Sequence, residues 1–114
     1  MPAAPLDLEV DQFAAFRKTS FYLDADRQPI DMTGWTGHMQ IRTPTGELVY
    51  DLSTATGTIS LGADGAVKLS IPAVDTAKFK FVKAEYDLVV TPPSQPPYRL
   101  LVGEVTLSRG VTRP

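Results

Sequence analysis

His38 is the only histidine in the chain, so a Ser-His-Asp relay or an imidazole-bound metal would have to be built on it. A relay holds the imidazole between a carboxylate and a hydroxyl, and hydrolases often present that hydroxyl on a Gly-x-Ser-x-Gly elbow, which is absent here. By strand parity His38 points away from Trp35, Gly37, Met39 and Ile41, as a solvated surface imidazole would. One His and no Cys is also too poor a ligand set for zinc. Asp24, Asp26 and Asp31 are the one carboxylate cluster with ligand-like spacing. An EF-hand loop begun at Asp24 needs Gly at its sixth position and Glu at its twelfth, and those positions hold Pro29 and Trp35. An irregular calcium site is one reading of the cluster, and short aspartates capping their own turns is the other.

Asp64 and Asp75 read as turn and helix-cap residues rather than as carboxylates flanking a sugar. No Gly-rich phosphate loop occurs, and Lys78, Lys80 and Lys83 are three charges beside Asp75 and Glu85, which suits a solvated edge. The expectation is therefore no catalytic residue, no metal and no cofactor. Pro93 and Pro96 have the spacing of a PxxP ligand core, but four prolines in residues 92–97 read better as a stiff, exposed, polyproline-like contact loop. Pro92, Pro93, Gln95, Pro96, Pro97 and Tyr98, together with the termini, are the predicted partner contacts.

The elements that would carry these residues are β-strands. Ten Pro and eight Gly break the sequence at short intervals, and between them lie short runs rich in Val, Leu, Ile, Thr, Tyr and Phe. Leu6, Leu8 and Val10 alternate with Asp7, Glu9 and Asp11, giving a first strand with an acidic outer face. Residues 13–23 hold two short strands or one bent strand, because Arg17, Lys18 and Thr19 interrupt the apolar run. Residues 24–31 form a long turn. Residues 35–42 have the clearest two-residue period, a turn at 44–47 closes a hairpin, and a second hairpin turns at residues 62–65. Residues 73–81 lack that period: Asp75 is placed to N-cap one helical turn, with Val74 and Phe79 packed inward, in a crossover between sheets. Residues 85–91 and 98–107 are the last long strands.

With 114 residues the chain is expected to form one domain over residues 1–114, with a single core. Net charge is -2, which gives no electrostatic reason to bind nucleic acid or an anionic membrane. No stretch has the make-up of a signal peptide or membrane span. Residues 1–57 carry four basic and eight acidic side chains and residues 58–114 seven and five, an asymmetry that suits head-to-tail stacking as well as ordinary surface scatter.

Seven to nine short strands with frequent turns predict an all-β, immunoglobulin-like two-sheet antiparallel sandwich with one short helical turn. Tyr86 has the spacing of a tyrosine corner, with Leu88 where a disulfide-bonded domain has its second cysteine and Trp35 as the core tryptophan of a central strand. The Tyr86 hydroxyl should find a backbone acceptor in the preceding turn. Trp35, Met39, Ile41, Leu69, Tyr86, Leu88, Leu101 and Val105 are the predicted core.

Several of these segments together resemble one family. Asp24, Pro29, Ile30, Asp31, Thr33, Gly34 and Trp35 are similar to the "D-x-x-G-x-P-I-D-L-T-G-W/Y" turn of small tailed-phage virion structural proteins, close to the N-terminal immunoglobulin-like domain of phage baseplate upper proteins. Arg27 stands where that pattern has Gly. Tyr86, Asp87 and Leu88 match its "Y-D-L" strand, and residues 98–108 with Val111, Thr112 and Arg113 resemble its "R-L-L-x-G-x-V-T-L-S-x-x-V-T-R" ending. The resemblance covers about residues 8–113. It implies a free-standing, non-enzymatic virion module without a receptor-binding region. Such a module would be made in the host cytoplasm and used as an adaptor in the tail, baseplate, neck or fibre-attachment region. Its partners would be other virion proteins, with several copies in a symmetric assembly and with edge strands and the acidic first strand making contacts. A capsid or collar decoration protein is the sibling reading. A small carbohydrate-binding module, with Tyr22, Tyr50, Tyr98 or His38 lining a sugar platform, is the alternative from another class.

Overall fold

The computed structural model describes residues 3–111. Nine strands and one helical turn follow in chain order: β1 (Ala4–Pro5), β2 (Leu8–Asp11), β3 (Phe16–Phe21), β4 (Thr36–Arg42), β5 (Leu48–Ser53), β6 (Ile59–Leu61), β7 (Ala66–Ile71), α1 (Ala73–Thr76), β8 (Lys83–Thr91) and β9 (Tyr98–Ser108). One sheet has the order β1-β9-β8-β4-β5, with β2 also on β9, and the other has the order β3-β7-β6. In immunoglobulin terms β3, β7 and β6 are strands B, E and D, and β5, β4, β8 and β9 are strands C′, C, F and G. The fold is thus an immunoglobulin-like two-sheet sandwich. All pairings are antiparallel except those of β1 and β2, which run parallel to β9.

The core forms because alternation in each strand sends apolar side chains to one side. Met39 and Ile41 of β4, Leu69 of β7, Tyr86 and Leu88 of β8, and Leu101 and Val105 of β9 all lie in one buried cluster. Met39 sits opposite both Leu52 and Leu88, and Leu88 opposite Leu101, so these residues occupy the middle of the larger sheet. Truncating a side chain as buried as Leu88 costs roughly 2–5 kcal/mol. A register shift between Leu88 and Val89 leaves Leu100 as an extra residue in β9, and Leu100 and Leu101 are both buried.

Five local expectations are corrected. Trp35 precedes β4 and is only half-buried; at ~3.3 Å per residue it lies about 13 Å along the chain from Met39, at the end of the sandwich, so Met39 fills the central position. Residues 16–21 form a single strand paired in unbroken register with β7, and Arg17 and Lys18 do not interrupt it. Lys18 stands opposite the buried Leu69, on the core-facing side of an edge strand. The N-cap position of α1 is Pro72, whose side chain has nothing to cap with; Asp75 lies inside the turn, and its carboxylate accepts the Tyr50 hydroxyl instead. Val74 is 64% exposed, and the inward residue of the turn is Thr76, whose hydroxyl donates to the Ala14 carbonyl at 2.8 Å.

The fifth correction concerns Tyr86. Its hydroxyl does reach a backbone carbonyl, but that of Leu6, between β1 and β2, rather than one in the preceding turn. The rung itself explains the approach: Gly103 pairs with Tyr86, and a Cβ at Gly103 would collide with the Leu6 carbonyl oxygen. The missing side chain admits the first segment of the chain onto β9.

Candidate interaction surfaces

The loop expected to be polyproline-like is instead a β-turn. The Gln95 N–H donates to the Pro92 carbonyl at 3.3 Å, and Ser94 is left-handed at φ 59°. Proline fixes φ near the value required at the second position of such a turn, which suits Pro93. Pro92 is buried, so it is not available as a contact; Pro93, Ser94, Gln95, Pro96 and Pro97 are exposed and Tyr98 is half-buried. The loop is propped from below. Gly34, at φ 79°, has Pro93 within 3.3 Å of where its Cβ would lie, and Trp35 meets Tyr98 edge-on with centroids 6.2 Å apart. Met1, Pro2 and residues 112–114, which belong to the expected terminal contacts, lie outside the described residues.

The long loop before β4 is held by its own aspartates. Asp24 Oδ1 accepts the N–H groups of Asp26 and Gln28 at 2.8 and 3.0 Å, and Asp31 Oδ1 accepts the N–H and hydroxyl of Thr33 at 2.9 and 2.6 Å. The Thr33 hydroxyl, and then its N–H, hold the Asp31 carboxyl below its usual range. Arg27 adopts the left-handed conformation at φ 59°. Among the described residues no group of three or more His, Asp or Glu is arranged to hold a metal ion. Asp64 and Asp75 lie beyond opposite ends of β7 and cannot flank one bond.

His38, Asp51 and Ser53 gather on the outer face of β4 and β5, but not as a relay. His38 Nε2 faces Asp51 at 2.9 and 3.0 Å from its two oxygens, while the Ser53 hydroxyl, opposite His38 in register, joins Thr56 instead. The network continues through Gln40, which donates to Asp51 at 3.1 Å, to Arg42, which donates to Gln40 at 2.8 Å and to the Gly46 carbonyl at 2.9 Å. Hydrogen bonds from His38 first, and then Gln40, lower the pKa of the Asp51 carboxyl. The chain fastens the β4–β5 hairpin and leaves the serine hydroxyl without a base.

The aromatic residues considered for a sugar platform are dispersed. Tyr22 and Tyr98 both border the core, Tyr22 beside Gly65 and Ile30 and Tyr98 at the proline loop, and His38 lies on the outer sheet face. Tyr50 lies beside α1, where its hydroxyl donates to Asp75 at 2.5 Å and its ring meets Phe79 at 69°. Burial, with Asp75 adding to it, pushes the Tyr50 phenol up to about 12, and burial raises Tyr22, Tyr86 and Tyr98 as well.

A surface that sequence reasoning missed lies along the outer edge of β5. Leu48, Val49 and Tyr50, with Thr43 and Glu47 of the preceding turn, form one wall of a groove, and Asp75, Lys78, Phe79, Lys80 and Phe81 form the other. Its only sequence signal is the aromatic pair Phe79 and Phe81, which does not by itself announce what β5 brings beside it.

No family model matches the sequence. No curated protein matches it either. Among solved structures, the chain is similar to Drosophila OTK, extracellular domains 3–5, with 14% identity and a TM-score of 0.37 over 89% of this chain and 32% of that one. It spans about a third of that structure.

Proposed function

We propose that the chain is a non-enzymatic structural subunit of a tailed-phage virion. In this reading it is an adaptor in the tail, baseplate or fibre-attachment region, present in several copies and joined to other virion proteins. The reading rests on the sequence resemblance over residues 8–113. The observation that carries it is that the resembling residues fall where this sandwich depends on them. Gly34 is left-handed in the loop before β4, as is position 27, where the pattern has Gly and this chain has Arg; Tyr86 ties β8 to the first segment, and Gly103 makes room for that tie. These are positions that a shared fold would keep, and they bear on architecture rather than on reaction chemistry.

Gold labelling of intact particles with an antibody against this chain, viewed by electron microscopy, tests the reading. Label at the tail end is the expected result. Label over the head would replace the adaptor with a capsid or collar decoration protein. Absence of label on both intact and opened particles would discard the virion reading and bring glycan binding forward.

A further inference from the structure

We propose that the free edge of β5, with the groove beside it, receives an extended apolar and acidic segment of a partner protein as an added strand. The sandwich has four sheet edges, and three are guarded against such pairing. The β1–β2 edge carries Pro5, Asp7, Glu9 and Asp11; β3 carries Arg17 and the core-facing Lys18; β6 has only three residues. By contrast β5 is six residues long and has one charge, Asp51, already occupied by His38 and Gln40. Among the described residues it ends its sheet, paired to β4 alone.

The groove supplies what an incoming strand would need. Alternate side chains of an added strand point into the sandwich, where Tyr50, Phe79 and Phe81 form a chain of rings with centroids 5.7 and 5.5 Å apart. Leu48 at its mouth is 50% exposed. The rim selects the partner's charge. Lys78 and Lys80, on one wall, make no ion pair among the described residues; of the two carboxylates in the lining, Asp75 accepts the Tyr50 hydroxyl and Glu47 stands on the β5 side, away from the lysines in sequence. Apolar residues entering the groove would meet its aromatic lining, and carboxylates between them would meet the Lys78 and Lys80 wall. This inference stands on the edge and the groove, and does not depend on where in a particle the protein resides.

A synthetic peptide copying residues 5–11, Pro-Leu-Asp-Leu-Glu-Val-Asp, has the required alternation and serves as the probe. Titrated into the isotope-labelled full chain, it should shift amide resonances at residues 48–53 and 78–81 and slow exchange at alternate β5 amides. A counterpart with lysine at its three acidic positions should bind about tenfold more weakly. The Lys78→Glu, Lys80→Glu double variant should reverse that preference, and Leu48→Lys, at an exposed position, should abolish the shifts without changing thermal unfolding. No shift at millimolar peptide, equal binding of the two peptides, or shifts centred on β9 would overturn the proposal. So would concentration-dependent protection of β5 without peptide, which would give the edge to a second copy of the chain.

Discussion

The hydroxyl of Tyr86 donates to the carbonyl oxygen of Leu6, joining β8 to the segment between β1 and β2 across 80 positions of sequence. The bond closes the larger sheet at a place where no side chain of β9 intervenes, because its partner on that rung is Gly103.

Tyr86→Phe keeps the ring in the core and removes only the donor, leaving the Leu6 carbonyl without that partner. A cost of about 1–2 kcal/mol is expected from the lost hydrogen bond. Urea unfolding should read it as a lower midpoint, and amide exchange should rise first in β1 and β2. An unchanged midpoint would mean that water replaces the phenol at no loss.

Arg27→Gly should stabilise the fold. A side chain in the left-handed region costs about 1–2 kcal/mol, while glycine adds freedom to the unfolded chain, so a net gain of roughly 0.5–1 kcal/mol is expected. Thermal unfolding checks it. A loss of stability would show that the Arg27 side chain contributes more than its backbone strain costs.

Alkaline pH should weaken the domain through its tyrosines. The folded-state pKa of Tyr50 is raised to about 12 from the ordinary 10.0, so the fold favours the neutral phenol. Its contribution is fully present below pH 10 and is lost as the pH rises through about 12. Phenolate absorbance should therefore develop late in the folded protein, and Tyr50→Phe should flatten the decline of unfolding free energy between those values. Asp75→Asn should bring the Tyr50 titration down, since the carboxylate is one of its causes.

Replacing Pro93, Pro96 and Pro97 with serine while keeping the buried Pro92 tests the loop as a contact. Each change frees the unfolded chain and costs about 0.4–1 kcal/mol. The domain should still fold, but incorporation into particles should fall. Equal incorporation at equal protein level would remove the loop from the contact surface.

How much of this was legible in the sequence depends on how local each feature is. Strands such as β4 and β8 carry their two-residue period openly, and Met39, Ile41 and Leu88 follow from it. Trp35 misleads because parity gives the face of a residue but not its distance from the middle of the sandwich. Leu100 and Leu101, adjacent yet both buried, reflect a register shift that parity cannot express. Asp75 has the look of a cap, but Tyr50, 25 positions away, supplies a partner that no window around Asp75 contains. Likewise the turn at Ser94 is hidden by its prolines, which suggest an extended helix until the N–H of Gln95, one of two in residues 92–97, is counted. The β5 groove was invisible because its two walls are distant in sequence.

The parallel pairing of β2 with β9 also sets how the domain would bear tension. The first described segment enters beside the start of β9, where Ala4 faces Leu101, and the chain leaves past the far end of β9, after Ser108. A pull on those two ends acts along the strands. The four rungs from Leu8–Val105 to Asp11–Ser108 then carry the load together in shear instead of opening one after another. Rupture under force is governed by the unfolding barrier rather than by equilibrium stability, so a modestly stable domain of this build can be mechanically stiff.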